Sequence, residues 1–402
     1  MSAFRLILSY SVLAILLLLG GNKSNAQDVG FDINIGKQYT LASEILKEER
    51  TYSVYLPASH GDSTLAESYP VLYVLDGGWY FEMAVGLVAF SKGAFRLPET
   101  IVVAIHSTDR IRDFTPSNSN LDMWGNEIQG MESSGGADLF IRFMQEELIP
   151  VVDATYRTMP HRILAGHSFA GLLATHAFLT GNSNFQSYIL IDPSLWWDNA
   201  MMIEQTIDYL NEPRIVGNTV YLSSANDEAT SKTSNAPHIE SIDAFWHAIQ
   251  SGSTSRTRSS YTFFDKETHA SVGIPALYEG LSFLFDGYRP ADNVFTEPSL
   301  LKSHFQSFSQ QVGTAFPPPE SLVRNLGYGK QYGEGDIESS IGFFSLNIEN
   351  YPDSYHAYHV LAVAYEQLGK TEEAIQYYKK SLALQPNNLE AKEKLTALME
   401  GK

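Results

Sequence analysis

The 402-residue sequence contains no cysteine. This absence excludes disulfide bonds, thiolate metal ligands, a cysteine nucleophile and a lipid-bearing N-terminal cysteine. Basic residues are also few, with 27 Lys and Arg against 46 Asp and Glu, which gives a formal net charge of -19. Because nucleic-acid-binding proteins gain affinity by neutralising phosphates with Lys and Arg, we expect no nucleic-acid partner.

The sequence also lacks an apolar run of the roughly 20 residues that a membrane-spanning helix needs. Its N-terminus instead carries Arg5, a shorter apolar run at residues 12–19 and a polar stretch that ends at Ala26. That order is typical of a secretory signal peptide. We therefore expect residues 1–26 to be cleaved and the mature protein to be periplasmic or secreted without a membrane span. An uncleaved membrane anchor is the alternative.

Short apolar runs rich in β-branched and aromatic residues alternate with amphipathic stretches from about residue 50 to residue 290. Several runs are apolar throughout, which is typical of strands buried on both faces. The alternation predicts an α/β fold, with a doubly wound and mostly parallel sheet. The predicted strands are residues 51–56, 71–75, 101–105, 162–165, 188–191, 219–223 and 259–264.

The amphipathic stretch at residues 138–152 gives the clearest helix pattern between these strands. Its apolar residues recur at helical spacing, which predicts a single buried face. The residues expected on that face are Leu139, Phe143, Met144 and Leu148.

The pattern changes after about residue 290, and three consecutive prolines at residues 317–319 exclude a helix through that point. Residues 355–388 then show the spacing of a 34-residue helix-turn-helix unit and resemble a tetratricopeptide repeat. A weaker copy lies one period earlier, and residues 389–399 are expected to form a closing helix. We predict an α/β domain at residues 27–290, a linker with one helix at 291–320 and a small all-α repeat domain at 321–402.

The strongest catalytic motif is Gly-His-Ser-Phe-Ala-Gly at residues 166–171, between a predicted strand and the apolar helix expected at 172–179. A strand, a tight turn, a serine and a helix make up a nucleophile elbow. The turn strains the serine backbone and exposes its Oγ atom, and small neighbours avoid a clash. We therefore predict Ser168 as a nucleophile.

A serine nucleophile needs a histidine base and a carboxylate that orients it, in the chain order serine, acid, histidine. His269 follows the last predicted strand of the α/β domain and is the predicted base. Glu228 follows the preceding strand and is the predicted acid, with Asp227 as the alternative. Six other histidines are interpreted as loop or packing residues, namely His106, His161, His167, His176, His238 and His247.

The oxyanion of an acyl-transfer intermediate needs two preorganised N–H donors. The residue after the nucleophile, Phe169, supplies one of them. Gly78, in the glycine pair after the 71–75 strand, is the predicted second donor, and a simple tight turn is the alternative interpretation.

Five motifs in order resemble the esterase D and enterobactin-esterase-like family of α/β hydrolases over about residues 35–290. The resemblance implies an α/β-hydrolase fold, a serine, acid and histidine triad, and carboxylic-ester or thioester substrates, with no metal or other cofactor. Ala225 departs from a glycine that is usual in the family, so the acid stays open; Ala170 is a second, tolerable departure. The motifs lie at residues 69–77, 109–116, 147–150, 166–168 and 192–197.

Together these patterns predict a serine esterase that acts on a small-molecule or polysaccharide-linked ester, such as a siderophore, feruloyl, acetyl or short acyl ester. Acyl transfer to another alcohol by the same fold is one alternative. A second is a non-catalytic binding module whose tetratricopeptide repeats hold a protein partner, although the repeats could serve only to pack on the α/β domain. Arg110 and Arg112 are candidates for holding an anionic substrate, with an Arg112–Asp113 brace as the other interpretation. Trp196 and Trp197 are candidates for an aromatic pocket.

Overall fold

One mixed sheet of eight strands organises the part of the chain that the computed structural model describes. The described residues are 33–93, 96–181, 184–211, 218–226, 236–251 and 257–401. The expected signal peptide at residues 1–26 lies outside them. The strands are β1 (Lys37–Ser43), β2 (Glu48–Tyr55), β3 (Tyr69–Val74), β4 (Ile101–Ile105), β5 (Thr158–His167), β6 (Ser187–Ile191), β7 (Thr219–Ala225) and β8 (Arg258–Phe264).

The spatial order of the strands is β1-β2-β4-β3-β5-β6-β7-β8. The β1–β2 and β2–β4 pairs are antiparallel, and all the later pairs are parallel. Parallel strands need crossover connections, and helices supply them here. The carboxyl ends of β3 to β8 therefore meet at one edge of the sheet, where ligands bind in open α/β folds.

The helices cover both faces of this sheet and then continue into a helical tail. Short 3₁₀ segments at Ala58–Gly61 and Asp292–Thr296 and π-helical segments at Met144–Leu148 and Gly329–Glu334 complete the set. The α-helices are α1 (Gly77–Gly93), α2 (Arg110–Phe114), α3 (Ala137–Phe143), α4 (Ile149–Thr155), α5 (Phe169–Thr180), α6 (Trp197–Asn211), α7 (Ala236–Ser251), α8 (Gly273–Leu284), α9 (Pro298–Val312), α10 (Glu320–Tyr328), α11 (Ile337–Asn350), α12 (Tyr355–Gln367), α13 (Thr371–Leu384) and α14 (Leu389–Met399).

Alternate residues of the central strands belong to two separate hydrophobic clusters, one on each face of the sheet. In β3, Tyr73 packs into the cluster that contains α5, whereas Leu72 and Val74 pack into the cluster that contains α8. Successive side chains of a strand point to opposite faces, so a strand covered on both faces must be apolar throughout. Each buried aliphatic side chain contributes about 1.5–3 kcal/mol. The predicted α/β-hydrolase architecture, with a mostly parallel sheet and a helical tail, is confirmed.

All seven predicted strands overlap observed strands, but two local details differ from the prediction. Strand β1 was not predicted, because its side chains are mostly exposed or half-buried and it lies at the sheet edge. In the 138–152 stretch, Phe143, Met144 and Leu148 are buried as predicted, whereas Leu139 is 48% exposed. Phe140 and Ile141 face the core in α3, so the buried face is rotated from the predicted one and Leu139 lies outside it.

The tail begins with helices that share the core of the α/β domain. Leu301, Phe305 and Phe308 of α9 and Phe343 of α11 belong to the same buried cluster as the inner face of α8. From α12 onward the helices pack around two smaller clusters, the first of which also contains Phe344 of α11. Residues from Gly36 onward accordingly form one compact unit. None of the helices in the described ranges combines the length and apolar character that crossing a bilayer requires.

Helix starts in the tail follow from local sequence. Asp336, Ser354 and Asn388 immediately precede α11, α12 and α14, and each side chain accepts a hydrogen bond from a backbone N–H of the first turn. Such N-caps satisfy donors that have no acceptor within the helix, and each contributes about 1 kcal/mol. The helix-turn-helix pair of α12 and α13 covers residues 355–384, the stretch predicted as a repeat.

Candidate active site

Ser168 occupies a strained turn between β5 and α5. Its φ is 61° and its ψ is -120°, outside the regions that a serine ordinarily adopts. The backbone is held from both sides: its N–H donates to the carbonyl of Ile191 at 3.1 Å, and its carbonyl accepts from the N–H of Ser194 at 3.1 Å. A side chain at Gly166 would collide with the carbonyl of Ala170, so the turn requires glycine there.

His269 lies in the loop between β8 and α8, at the same edge of the sheet. Its Nδ1 atom is 2.6 Å from Oδ2 of Asp192, the residue that directly follows β6. The His269 side chain is 34% exposed, whereas that of Asp192 is 1% exposed. With Nδ1 bound to a carboxylate, the second ring nitrogen, Nε2, is the one that can exchange a proton with a substrate or a nucleophile.

Three donors surround the carboxylate of Asp192. Besides His269, Nε2 of His238 lies 3.0 Å from Oδ1, and the backbone N–H of Ala225 donates to the same oxygen at 3.1 Å. Burial alone raises the pKa of Asp192, but the hydrogen bonds from His238 and His269 outweigh it and hold that pKa well below its ordinary value. Asp192 is therefore ionised near neutral pH, and both imidazoles donate to it.

The ring of His167 links the serine turn to His269. The two ring centroids are 4.5 Å apart, and His167 immediately precedes Ser168 in the chain. Burial and the neighbouring His269 lower the pKa of His167 to about 4. His167 is therefore neutral near pH 7, so it adds no positive charge beside His269. The contact brings the predicted nucleophile turn and the predicted base together.

The same residues form the one group in the described ranges that could hold a metal ion. Ligand atoms of His167, Asp192 and His269 all lie within 4.8 Å of one another. Two ligands of one tetrahedral zinc ion, each at 2.0–2.1 Å from the metal, are about 3.3 Å apart. The 2.6 Å between His269 and Asp192 is instead a hydrogen-bond distance, so metal binding would require these two side chains to separate.

The two predicted oxyanion donors are at helix N-termini. Phe169 is the first residue of α5 and Gly78 the second residue of α1. The first four N–H groups of an α-helix have no acceptor within the helix, so both amides are available by position to a negatively charged oxygen. A Cβ atom on Gly77 would lie 2.9 Å from the backbone of Ala104, whereas one on Gly78 would be 3.8 Å from its nearest neighbour, His106. Close packing therefore explains Gly77 but not Gly78.

Arg110 forms hydrogen bonds with both the turn after β3 and the turn that contains Ser168. Its Nε atom donates to Asp76 Oδ2 at 2.9 Å, and its Nη2 atom donates to the carbonyl of His167 at 3.2 Å. Its guanidinium lies 5.5 Å from the ring centre of Phe169. Arg112 instead donates to Asp113 at 2.8 Å and also pairs with Glu48, which is the brace given above as the other interpretation.

Aromatic side chains line one side of the serine turn. The Phe169 ring lies 5.8 Å from Trp196 and 5.5 Å from Trp197. Trp197 is fully buried, and its indole N–H donates to Ser117, so it is a core residue. Trp196 is half-buried. On the α1 side, Trp79 is 88% exposed immediately after Gly78.

Sequence reasoning missed three residues of this cluster. Asp192, His238 and His167 were interpreted as part of a family motif or as loop and packing residues. Asp192 could have been found as a carboxylate that directly follows a buried strand, the criterion that selected Glu228. No sequence signal marks His238. Glu228 and Asp227 lie outside the described residues, so both remain sequence predictions.

The chain resembles known proteins in two separate segments. A family model described as "Putative esterase" matches residues 43–266. A tetratricopeptide repeat model matches residues 355–388, the stretch predicted from its 34-residue spacing.

Two curated relatives match part of the chain. The siderophore triacetylfusarinine C esterase of Aspergillus fumigatus is 26% identical over 149 residues, which is 36% of this chain and 51% of that protein. The ferri-bacillibactin esterase BesA of Bacillus subtilis is 29% identical over 180 residues, 41% of this chain and 61% of that protein. The chain thus spans about half to three fifths of the length of these relatives.

Solved structures are similar over more of the chain. An IroE-like serine hydrolase from Shewanella oneidensis superposes with a TM-score of 0.69 and 26% identity, covering 78% of this chain and 98% of that one. An uncharacterised protein from Capnocytophaga ochracea superposes with a TM-score of 0.58 and 18% identity, covering 91% of this chain and 99% of that one. The second similarity concerns the fold alone.

Proposed function

The chain belongs to the esterase family, whose model covers more than half of its residues, and on that premise we propose that it is a serine hydrolase of carboxylic esters. One observation carries the proposal. His269, hydrogen-bonded to a buried carboxylate, packs against the residue that precedes Ser168 in its strained turn. A strained serine near an oriented imidazole is the arrangement that makes a hydroxyl nucleophilic at neutral pH.

In the first half of the proposed reaction, Ser168 Oγ attacks the carbonyl carbon of the ester while Nε2 of His269 takes the hydroxyl proton. The carbonyl π electrons move to the oxygen, and the amides of Phe169 and Gly78 stabilise this oxyanion. When the tetrahedral intermediate collapses, the bond to the alcohol breaks and the leaving alcohol takes the proton from His269. An acyl-enzyme on Ser168 remains.

In the second half, water attacks the acyl carbonyl while His269 takes one of its protons. Collapse of the second intermediate returns that proton to Ser168 and releases the carboxylic acid. Asp192 accepts the Nδ1–H of His269 throughout, which keeps the lone pair of the neutral imidazole on Nε2. Glu228 and Asp227 are the alternatives for this role.

We propose siderophore esters first among the possible substrates, because the relatives from Aspergillus fumigatus and Bacillus subtilis are named for siderophore substrates. The aromatic side chains of Phe169 and Trp196 support an ester that carries an aryl group, since offset and edge-to-face ring contacts contribute beyond burial. A feruloyl ester also fits this description. Pocket shape selects between them.

The test is turnover of a panel that contains a siderophore triester, a feruloyl ester and p-nitrophenyl esters of increasing acyl length. We expect Ser168→Ala to abolish turnover and to leave the fold unchanged. Ser303→Ala is the matched control, because Ser303 is exposed on α9, away from the serine turn. A fluorescent phosphonate should label Ser168 in the wild-type chain and in Ser303→Ala.

Either of two results would overturn the proposal. The first is turnover that survives Ser168→Ala. The second is a wild-type chain that neither turns over any ester of the panel nor reacts with the phosphonate.

We further propose that the protein acts after export, with residues 1–26 removed. This rests on Arg5 and the apolar run at residues 12–19. Mass spectrometry of the chain recovered outside the cytoplasm should give a mature N-terminus at Gln27. A full-length mass there would contradict cleavage.

The tail, in this proposal, has two parts with different roles. Helices α9 to α11 complete the hydrolase core, as their shared buried cluster with α8 supports. Helices α12 to α14 pack on one another and are the segment that a protein partner would contact, in keeping with the tetratricopeptide match. Pull-down with the full chain and a variant in which exposed residues of α13 are replaced would test this partner role.

A further inference from the structure

A cavity lies at the amino ends of β3 and β5, the opposite end of these strands from Ser168. It has a volume of about 140 Å³ and opens between the start of β3, the loop before β4 and the proline segment that enters α10. Met159 at its wall and Ser168 are nine residues apart along β5, a separation of about 30 Å for an extended chain. A cavity of about 150 Å³ holds a benzene-sized molecule.

Two carboxylates line this cavity, those of Glu67 and Glu99, and Oε2 of Glu99 accepts a hydrogen bond from the Ser59 hydroxyl. The Glu67 side chain is only 3% exposed. Its Oε1 atom accepts a hydrogen bond from the Tyr69 hydroxyl at 3.3 Å, but its Oε2 atom is buried and has no hydrogen-bond partner. Burial, together with Glu99 and Glu320, raises the pKa of Glu67 and outweighs the hydrogen bonds from the Ser321 backbone and the Tyr69 hydroxyl, which lower it.

An unpaired buried carboxylate oxygen costs free energy that a cationic partner would recover. Glu320 cannot act in place of Glu67, because its carboxylate already accepts from the Ala66 N–H and the Ser354 hydroxyl. No basic side chain in the described ranges forms a salt bridge with Glu67. Arg157 lies nearby, but it donates to the backbone carbonyl of Glu67 rather than to the carboxylate.

The remaining walls indicate what kind of cation fits. Most of them are aromatic or aliphatic, including Tyr69, Tyr288, Phe316 and Tyr351, and the polar ones are Ser68, Glu99 and Ser321. A metal ion such as Ca²⁺ takes about six to eight oxygen ligands, whereas most of this wall is carbon. An alkylammonium ion needs one carboxylate for its N–H donors, aromatic faces for its charge and apolar contacts for its carbon chain.

We infer that this cavity is a binding site for a small alkylammonium compound, held by the carboxylate of Glu67 and enclosed by the tyrosine, phenylalanine and proline side chains. The site joins the hydrolase core to the tail, because Tyr69 and Met159 come from the sheet and Phe316 and Tyr351 from the tail. It uses no residue of the proposed esterase mechanism.

The experiment measures binding of n-butylammonium chloride to the full mature chain by calorimetry and by the shift in thermal unfolding midpoint. The neutral isostere n-butanol tests the requirement for charge. Glu67→Gln removes the charge at nearly constant volume, and Glu372→Gln, at an exposed position on α13, is the matched control. Ser68→Trp places a bulky side chain at the exposed rim and keeps the carboxylate.

We expect saturable binding of n-butylammonium that n-butanol does not reproduce. Glu67→Gln should weaken it at least about tenfold, a loss of 1.4 kcal/mol. Ser68→Trp should also weaken it, whereas Glu372→Gln and Ser168→Ala should bind as the wild type does. Absence of saturable binding to the wild type would overturn the inference, as would equal binding to Glu67→Gln. The Ser168→Ala arm separates this result from the esterase proposal, because that variant lacks the nucleophile but retains the cavity.

Discussion

His238 and His269 bind opposite oxygens of one carboxylate: Nε2 of His238 lies 3.0 Å from Oδ1 of Asp192, and Nδ1 of His269 lies 2.6 Å from Oδ2. The carboxylate is therefore fixed at both ends, and rotation about its Cβ–Cγ bond would break both contacts. His238 orients the imidazole of His269 through Asp192 and through an edge-to-face contact of the two rings, whose centroids are 5.5 Å apart, so it is a positioning residue in the proposed mechanism.

We expect His238→Phe to lower kcat by about 10- to 100-fold, because the loss of an orienting hydrogen bond misplaces the imidazole. His238→Gln retains an N–H donor and should recover part of that loss. KM should change little in both variants, since His238 is buried and does not contact substrate. A purely structural role would lower thermal stability in His238→Phe without changing kcat of the folded fraction.

A second prediction concerns which carboxylate serves His269. Asp192→Asn should lower kcat by about 10²- to 10⁴-fold, because an amide cannot stabilise the imidazolium and favours the wrong tautomer. Glu228→Gln and Asp227→Asn are matched changes at the residues predicted from sequence, and we expect near wild-type kcat from both. Steady-state kinetics on a p-nitrophenyl ester distinguishes the three. If Glu228→Gln has the largest loss, the role belongs to Glu228.

A third prediction concerns the amide of Gly78. Proline is tolerated in the first turn of a helix and lacks an N–H, so Gly78→Pro removes one donor and can leave α1 in place. We expect kcat to fall by about 10²- to 10³-fold, the usual effect of losing one oxyanion donor. Gly78→Ala keeps the amide and has space for its methyl group, so it controls for side-chain bulk. Similar kcat values for the two folded variants would remove Gly78 from the mechanism.

A fourth prediction concerns pH and stability at the junction of hydrolase and tail. His161 is 2% exposed, and burial lowers its pKa from 6.5 to about 4. Between these values the unfolded chain binds a proton that the folded chain does not, so the free energy of unfolding falls as pH falls from 6.5 to 4. The contribution of this one residue is roughly 3 kcal/mol, at 1.36 kcal/mol per pKa unit.

Urea unfolding of His161→Gln over the same pH interval should therefore show a shallower decline than the wild type. The comparison uses the slope against pH and not the absolute free energy of unfolding. That free energy also depends on the packing of His161 against Phe316, whose ring centroids are 5.1 Å apart. His247→Gln, at an exposed position on α7, should keep the wild-type pH dependence. Parallel curves for His161→Gln and the wild type would contradict the assignment.

The sequence predicts the sheet well because both of its faces are buried. Strand β4, for example, consists of Ile101, Val102, Val103, Ala104 and Ile105, all buried, so it reads as a continuous apolar run. Strand β1 is not predicted, because it is an exposed edge strand without a continuous apolar run. In α3 the apolar residues Leu139, Phe140, Ile141 and Phe143 are compatible with more than one inner face, and the prediction for Leu139 is wrong because Phe140 and Ile141 are the buried neighbours.

Some features of the candidate site depend on neighbouring residues in the sequence, and others depend on contacts between distant segments. The turn around Ser168 depends on its immediate neighbours, and small residues at fixed offsets reveal it. The partner of His269 depends on which of several strand-end carboxylates points toward it. Asp192 and Glu228 both follow strands of one sheet, so sequence position cannot rank them. His238 lies on α7, 46 residues from Asp192, and only the packing of that helix brings the two together.

The hydrogen bond from the Ala66 N–H to Glu320 spans 254 residues of sequence, which has a consequence for biosynthesis. A chain made at about 5–20 residues per second presents Ala66 roughly 13–50 s before Glu320 exists. From the synthesis of α8 until that of α9 and α11, the apolar side of α8 lacks their cover, although the strands and Ser168 are already synthesised. The nascent protein therefore passes through a stage in which its α/β domain exposes apolar surface and is prone to aggregate, so that it needs a holding chaperone or slow release. Stop codons or proteolytic nicks just after residue 290 should yield aggregates rather than a smaller enzyme.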